Sequence, residues 1–174
     1  NLAGADLEGG NLQMADLVDA NLEDANLEKS NLTKSDFMLA NLHGVKLSQT
    51  NLTETYMREV DLSDADLTEA NLDQTNLTGA NLTRAKLMNT RLLWTNLRGV
   101  NLHRTDFSGA DFEQINFWKM QLSSLNFTAT KMYKVNLSGA NLEKSNLRSA
   151  RLEEIRLDNE TILPDGEKWT DETD

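Results

Sequence analysis

The nine residues NLTGANLTR, Asn76 to Arg84, state a rule that the chain keeps on both sides of them. Leu77 and Leu82 stand five apart, each follows an Asn, and Ala80 stands two before Leu82. Extended outward, the rule does not slip: from Leu2 to Leu157 every fifth residue is Leu, Phe or Met, thirty-two times in succession. Those sites take all five Phe of the chain, with Met57 and Met132. A fixed short period over so many copies is the signature of a repeat architecture. The residue two before each central site is small or moderately apolar, as at Ala15, Ala25, Ala65, Ala80 and Ala140, with Thr or Ser next in frequency. Asn or Asp directly precedes the central residue in twenty-four of the thirty-two repeats, and the other two positions vary and are mostly polar. Two positions of each five therefore point inward and three outward.

Neither common period accommodates this spacing. On a 3.6-residue helix a step of five drifts, so the leucines spiral around the cylinder instead of forming a stripe. On a straight strand successive leucines are an odd number apart and fall on opposite faces. A chain that turns a corner at every pentapeptide removes the conflict, since each Leu then points inward from its own short side. The result is a solenoid.

Segments such as ANLEDANLEKS (Ala20 to Ser30), SDADLTEANL (Ser63 to Leu72) and SGANLEKSNL (Ser138 to Leu147) resemble the pentapeptide-repeat family, with its pattern A-(D/N)-L-x-x. The family is abundant in cyanobacteria and other bacteria. The resemblance implies an all-β solenoid: a right-handed quadrilateral parallel β-helix of about eight coils, four pentapeptides per coil. Residues twenty apart then stack on one face. The organisation expected is a repeat domain over residues 1–157, then a C-terminal capping segment and acidic tail over 158–174. In that tail Glu160 replaces the small inward residue, Pro164, Asp165 and Gly166 signal a turn, and Ile162, Leu163 and Trp169 are assigned to the cap. The acidic end after Thr170 is expected to be mobile. The Asn or Asp before each Leu is explained by a short side chain that bonds backbone groups at a turn. Around Phe107, Phe112, Phe117 and Phe127, large residues (Ile115, Met120, Leu125) take the small inward sites, and the coils are expected to widen there.

Composition narrows the function classes. The chain has 174 residues, 39% of them hydrophobic, no Cys and a net charge of −11. Disulfides and thiolate zinc sites are excluded. The negative charge disfavours nucleic acid or an anionic membrane as partner. No apolar run approaches a membrane span. The chain opens on Asn1 in phase with the repeat, so it is read as a fragment or processed product whose front end could carry an address, a membrane anchor or another domain. On that footing the cytoplasm is favoured, and a periplasmic or lumenal setting stays open. No cap precedes Leu2, so the natural cap lies upstream or two N-terminal ends meet in an end-to-end dimer.

Catalytic constellations are missing. His43 and His103 share an outward column but lie three coils apart, ~14 Å at the strand spacing, too far to share a metal. Neither a Ser, His, Asp set nor a phosphate loop stands out, and no cofactor or metal is implied. The N-L-T, N-F-T and N-L-S triplets at Asn31, Asn51, Asn76, Asn81, Asn126 and Asn136 match the glycosylation pattern only because the repeat generates it. From Gln74 to Thr105 there is no acid, and Arg84, Lys86, Arg91, Arg98 and Arg104 occur. Four of these fall one to a face, a belt above an acidic belt of Asp61, Asp64, Asp66, Glu69 and Asp73. An offset of twenty pairs Asp64 with Arg84, Asp66 with Lys86, Lys34 with Glu54, Arg91 with Asp111 and Lys134 with Glu154.

Exposed apolar residues are the better lead. Leu93 and Trp94 share a face with Tyr133, with Trp118 around the corner, and these four make the candidate partner-binding surface. Val18, Met38 and Leu39 lie on one face near the N-terminal end with Met14 at the adjoining corner, a candidate N-terminal docking patch. Such clusters on a rigid face suit a protein segment. The leading function is a non-catalytic interaction module, a rigid rod presenting a docking surface to an unidentified protein. The alternative, implied by the family resemblance, is a DNA mimic that inhibits or shields DNA gyrase; the basic belt interrupts any acidic stripe. An enzyme is the third and least supported reading.

Overall fold

The computed structural model describes residues 1–170, and every regular element among them is a β-strand or a single bridge, all parallel except Ile162↔Lys168. One pentapeptide makes one side of a coil. Asn76 N–H donates to the Thr55 carbonyl at 3.0 Å, and Leu77 N–H donates to the Asn96 carbonyl at 2.9 Å, so adjacent residues bind the coils below and above. Ala80 N–H then closes on the Leu77 carbonyl at 2.9 Å, and Gly79 has φ 72°. A four-residue turn with a left-handed third residue is a type II turn. Bridges such as Asp61↔Asn81 and Asn81↔Asn101 repeat at twenty residues, which sets four sides to a coil. Each coil is a crossover between parallel strands, a connection that is right-handed as a rule. The chain is thus the right-handed quadrilateral β-helix of about eight coils expected from its sequence.

The turn dictates more than the sequence pattern revealed. Every fifth residue from Gly4 to Glu154 has φ between 53° and 72°, and twenty-four of these residues are not glycine. None is Val, Ile or Thr. Branching at Cβ makes left-handed backbone costly, so the outer position that seemed free excludes one class of side chain. The preceding Asx residue holds the turn from outside. Asn76 Oδ1 accepts the Thr78 amide at 3.1 Å and the Thr78 hydroxyl at 2.7 Å. Asn31, Asn51, Asn81 and Asn126 do the same, so these N-L-T and N-F-T triplets are turn locks. Side-chain amides also climb the stack, as from Asn81 to Asp61 at 3.0 Å and from Asn126 to Asp106 at 2.9 Å.

One face shows what the Asx residue contributes. Along it, Asn11, Asn31, Asn51 and Asn71 each accept the amide two residues on, and the turns from Leu12, Leu32, Leu52 and Leu72 close at 3.0 to 3.1 Å. Continuing upward the corner residues become Arg91, Asp111, Lys131 and Arg151. Here the chain runs extended as β1 (Arg91–Leu93), β2 (Asp111–Glu113), β3 (Lys131–Tyr133) and β4 (Arg151–Glu153), a parallel sheet in the order β1-β2-β3-β4. No turn bond closes on Leu92, Phe112, Met132 or Leu152 among the described residues. The corner residue is not the whole cause, since the turns after Lys46 and Lys86 close on Leu47 and Leu87 at 3.2 and 3.4 Å; the Asp111 carboxylate is drawn toward Lys131 at 3.5 Å.

The core is the column of central residues. Those from Leu22 to Leu142 are buried, whereas those of the first coil and the last are half-buried or exposed. Buried Thr and Ser at small inward sites, other than Ser145, donate to carbonyls of central residues, as Thr75 does to Leu52 at 2.7 Å and Thr95 to Leu72 at 2.8 Å. Phe107, Phe112, Phe117 and Phe127 pack with ring centroids 5.3 to 6.4 Å apart. Past Leu157 the register slips by one residue: Asn141 pairs with Ile162, and Thr161, not Glu160, takes the inward site, donating to the Leu137 carbonyl at 3.1 Å. An extra residue in the bend at Asp158 and Asn159 causes the slip. Ile162 and Leu163 are half-buried, and Trp169 N–H returns to the Thr161 carbonyl at 3.0 Å. The acidic residues after Thr170, expected to be mobile, lie outside the described residues.

Four of the five charge pairs anticipated at the offset of twenty form. Lys34–Glu54, Lys86–Asp66 and Lys134–Glu154 stand at 3.5, 3.6 and 4.0 Å, and Arg84 grips Asp64 through two nitrogens. The fifth does not. Arg91 turns down to Asp73 at 2.8 Å, because that carboxylate is nearly buried, also accepts the Leu93 amide, and has no other cation in reach.

Candidate partner-binding site

The stack is parted at one place. In the opening stretch the amides of Leu77, Gly79, Leu82 and Arg84 all donate to carbonyls one coil above, at 2.9 Å. One coil later the corresponding stretch NLRGVNLHR, Asn96 to Arg104, has no such bonds. The amides of Leu97, Gly99, Leu102 and Arg104 find no backbone acceptor among the described residues, and neither do those of Asn116 and Gln121 on the opposite rim. The bridges that would join Asn96 to Asn116 and Asn101 to Gln121 are absent, whereas the ladder is intact at Trp94, which donates to Glu113, and again at Phe107, which donates to Asn126. The parted edges enclose two adjoining hollows of about 510 and 580 Å³.

The cause lies inside the coil above. Ile115, Met120 and Leu125 occupy three successive inward corners that hold Thr95, Val100 and Thr105 one coil below. Ile115 and Leu125 are buried and Met120 is half-buried. Oversized side chains in a filled core displace backbone, and the wall resting on three smaller corners loses its register. The coil above remains attached to its other neighbour, with Phe117 N–H to Asn136 at 2.8 Å and Leu122 N–H to Asn141 at 2.8 Å. What stands out around these residues is the loss of bonds between two particular coils, which is a different feature from the wider coils expected there.

Of the candidate surface residues, Trp94 and Trp118 come together. Both line the first hollow and are about half exposed, at 50% and 56%. Trp94 stands at a left-handed position with φ 56°, where a bulky residue costs backbone energy and glycine does not. Lys119 Nζ lies 5.0 Å from the Trp118 ring centroid. Leu93 and Tyr133 are half-buried and lie outside this group, with Glu113 between them in the sheet. Tyr133 instead borders a hollow of about 150 Å³, with Lys134 Nζ 4.7 Å from its ring centroid. In the N-terminal patch Met14, Met38 and Leu39 are exposed, Val18 is half-buried, and Met14 and Leu39 also have left-handed backbone. Tyr56 and Leu152, exposed at 55% and 49%, escaped the sequence reading. Tyr56 stands at an Asx corner, which turns a ring outward, and Leu152 is central in the last coil of the repeat.

The charge around the parted wall is one-sided. Arg98, His103 and Lys119 line the hollows, and among the described residues no carboxylate does. Lys119 is held by Glu160 at 3.3 Å, whereas Arg98 and Arg104 have no ion pair among the described residues. Elsewhere some charges are neutralised within the stack. The Arg84 guanidinium beside Asp64 holds that carboxyl below its ordinary range, and Lys29 does the same for Glu8. Asp158 is also held below its ordinary range: desolvation works against its charge, and hydrogen bonds from Gly139, Glu160 and Thr161 outweigh it. His43 Nδ1 lies 2.9 Å from Ser63 Oγ, and no group of three or more acidic, His or Cys side chains among the described residues could hold a metal ion. No helix among them is long and apolar enough to cross a membrane.

The molecule is therefore a four-sided parallel β-solenoid built on pentapeptides, with one lateral breach. Its sequence matches the family profile of pentapeptide repeats in eight copies, over residues 1–37, 35–74, 65–104, 75–114 and 121–159, and the chain belongs to that family. The matched spans leave out 115–120, the upper rim of the breach. Among solved structures it is similar to HetL, a pentapeptide repeat protein involved in heterocyst differentiation regulation in Nostoc sp. strain PCC 7120. The two are 26% identical over 94% of this chain and 78% of that one, with a TM-score of 0.41. A pentapeptide repeat protein from the Arabidopsis thaliana thylakoid lumen is 29% identical over 63% of this chain and 66% of its own, with a TM-score of 0.41. QnrB1, a plasmid-mediated fluoroquinolone resistance protein, is 19% identical over 88% and 77% of the two chains, with a TM-score of 0.42. No curated protein matches the sequence.

Proposed function

We propose that this chain is a non-catalytic docking module, a rigid rod whose protein partner seats on the surface carrying Trp94 and Trp118. The observation that carries the reading is the pair of half-exposed tryptophans on either side of a parted wall. Large aromatic side chains at the rim of a concavity are the usual anchors of protein contacts.

Trp94→Gly separates binding from folding. Glycine relieves the left-handed backbone, so the variant is expected to fold at least as stably as the parent, by up to about 1 kcal/mol. Combined with Trp118→Ala, it is expected to abolish capture of the cellular partner in an affinity pull-down, while circular dichroism and the thermal midpoint are maintained. Capture of every partner at parental levels by the folded double variant contradicts the reading. A DNA gyrase supercoiling assay with the same protein is expected to show no inhibition and no protection; either effect would favour the DNA-mimic alternative.

A further inference from the structure

We infer that the parted wall between the Asn96 to Arg104 stretch and the coil above it is a slot for an extended, acidic peptide segment, which enters as an added strand. The inference rests on the docking role proposed above and names the chemistry of its partner.

The backbone is the first support. The lower rim presents the amides of Leu97 and Gly99 and the carbonyl of Thr95, and the upper rim presents the amide of Asn116. In a closed stack the carbonyls of Asn116 and Trp118 would take those two amides, as Asn96 and Arg98 take the amides of Leu77 and Gly79 one coil below. Unpaired strand edges are a template for another strand, and peptides that add to such edges take affinity from main-chain bonds and selectivity from side-chain pockets. Here the two edges face each other, so an inserted segment finds a donor and acceptor row on each side.

Side chains supply the selectivity. An extended segment alternates its side chains between two directions. One set faces the inner wall at Leu97, Val100 and Met120, where Val100 is 9% exposed and Met120 half-buried. The other faces outward among Trp94, Trp118 and Arg98, with Lys119 already paired to Glu160, and among the described residues no carboxylate lines either hollow. On a chain of net charge −11 this acid-free stretch is the exception. It attracts anionic side chains and disfavours cationic ones. An apolar residue alternating with Glu or Asp over one side of a coil is the sequence that fits.

The test uses the whole chain and a capped alternating valine–glutamate hexapeptide, followed by tryptophan fluorescence and by amide hydrogen exchange. Saturable binding is expected, with new protection at Leu97 and Gly99. A valine–lysine hexapeptide, and the valine–glutamate peptide with alternate amides N-methylated, are each expected to bind at least ten-fold more weakly. Arg98→Glu is expected to reverse the preference between the two charges. Replacing Ile115, Met120 and Leu125 by the residues one coil below (Ile115→Thr, Met120→Val, Leu125→Thr) closes the slot and removes binding. Should that variant fail to fold, the Arg98→Glu reversal and the N-methyl comparison still decide. Equal binding of the lysine or N-methylated peptide, or no saturation, overturns the slot. If the slot fails while Trp94→Gly with Trp118→Ala still loses its partner, only the insertion mode falls and the docking surface stands.

Discussion

Asn76 to Arg84 and Asn96 to Arg104 are nearly the same sentence, NLTGANLTR and NLRGVNLHR, set one directly above the other. Both bury their leucines and carry left-handed residues at the same places, with φ 72° and 60° in the first and 69° and 59° in the second. Yet the first is bonded to the coil above at every amide that points there, and the second at none. Local sequence therefore sets the shape of a side, and the coil above decides whether that side is paired. In a solenoid stability is a sum of units and of nearest-neighbour interfaces. Here one interface is weakened by residues that belong to the neighbour.

The comparison can be strained at several points. Leu82→Ala in the paired stretch should cost about 3 kcal/mol in urea denaturation, within the usual range for a buried leucine. Leu102→Ala, which borders the breach, should cost roughly half that, because its cavity is already partly open to water. Equal costs would mean that the breach does not loosen the core. Next in size is Asn51→Ala, which removes the acceptor of the Thr53 amide and hydroxyl. It is expected to cost about 1 to 2 kcal/mol, whereas Lys131→Ala, two strands up the opened continuation of the same face, should be close to neutral. A matching loss at Lys131 would show that the extended corners are as dependent on their side chains as the tight ones.

Smallest is the effect of acid on the C-terminal bend. The carboxyl of Asp158 titrates lower in the folded chain than in the unfolded one, so its contribution is fully present above the unfolded value near pH ~4 and is lost as pH falls through the folded one. Lowering the pH from 7 to 3 should therefore speed exchange at the Gly139 and Trp169 amides before those of Leu77 and Leu82. Asp158→Ala should abolish the difference between the two pH values at Gly139 and Trp169. If the whole stack loosened together on acidification, the bend would not be a separate unit.

Most of the fold was legible because one residue in five is obligatory. The odd spacing of Leu77 and Leu82 excludes straight strands and helices, and Asn76 before Leu77 names the turn. What escaped was the conformation of the other outer position. Its signal was present in the consistent exclusion of Val, Ile and Thr, but an absence among variable residues is harder to see than a repeated Leu. The opening of one face into β1 to β4 was not legible, because the change from Asn71 to Arg91, Lys131 and Arg151 at the corner does not by itself open a turn: those after Lys46 and Lys86 close. Of the candidate site, Trp94 and Trp118 were visible as outward aromatics. They were also grouped on one candidate surface, but the breach between them was not legible, because it depends on how Ile115, Met120 and Leu125 fit above Thr95, Val100 and Thr105, a relation between side-chain volumes in two coils. Tyr133 was placed with them by register alone, and the sheet sets Glu113 between it and Leu93.

The parted wall is tested most directly by residue-resolved native-state hydrogen exchange on the free chain. The amides of Leu97, Gly99, Leu102 and Arg104 are expected to exchange at least a hundred-fold faster than those of Leu77, Gly79, Leu82 and Arg84, which occupy the same positions one coil below. Exchange of the two sets at the same rate would mean that the wall is closed.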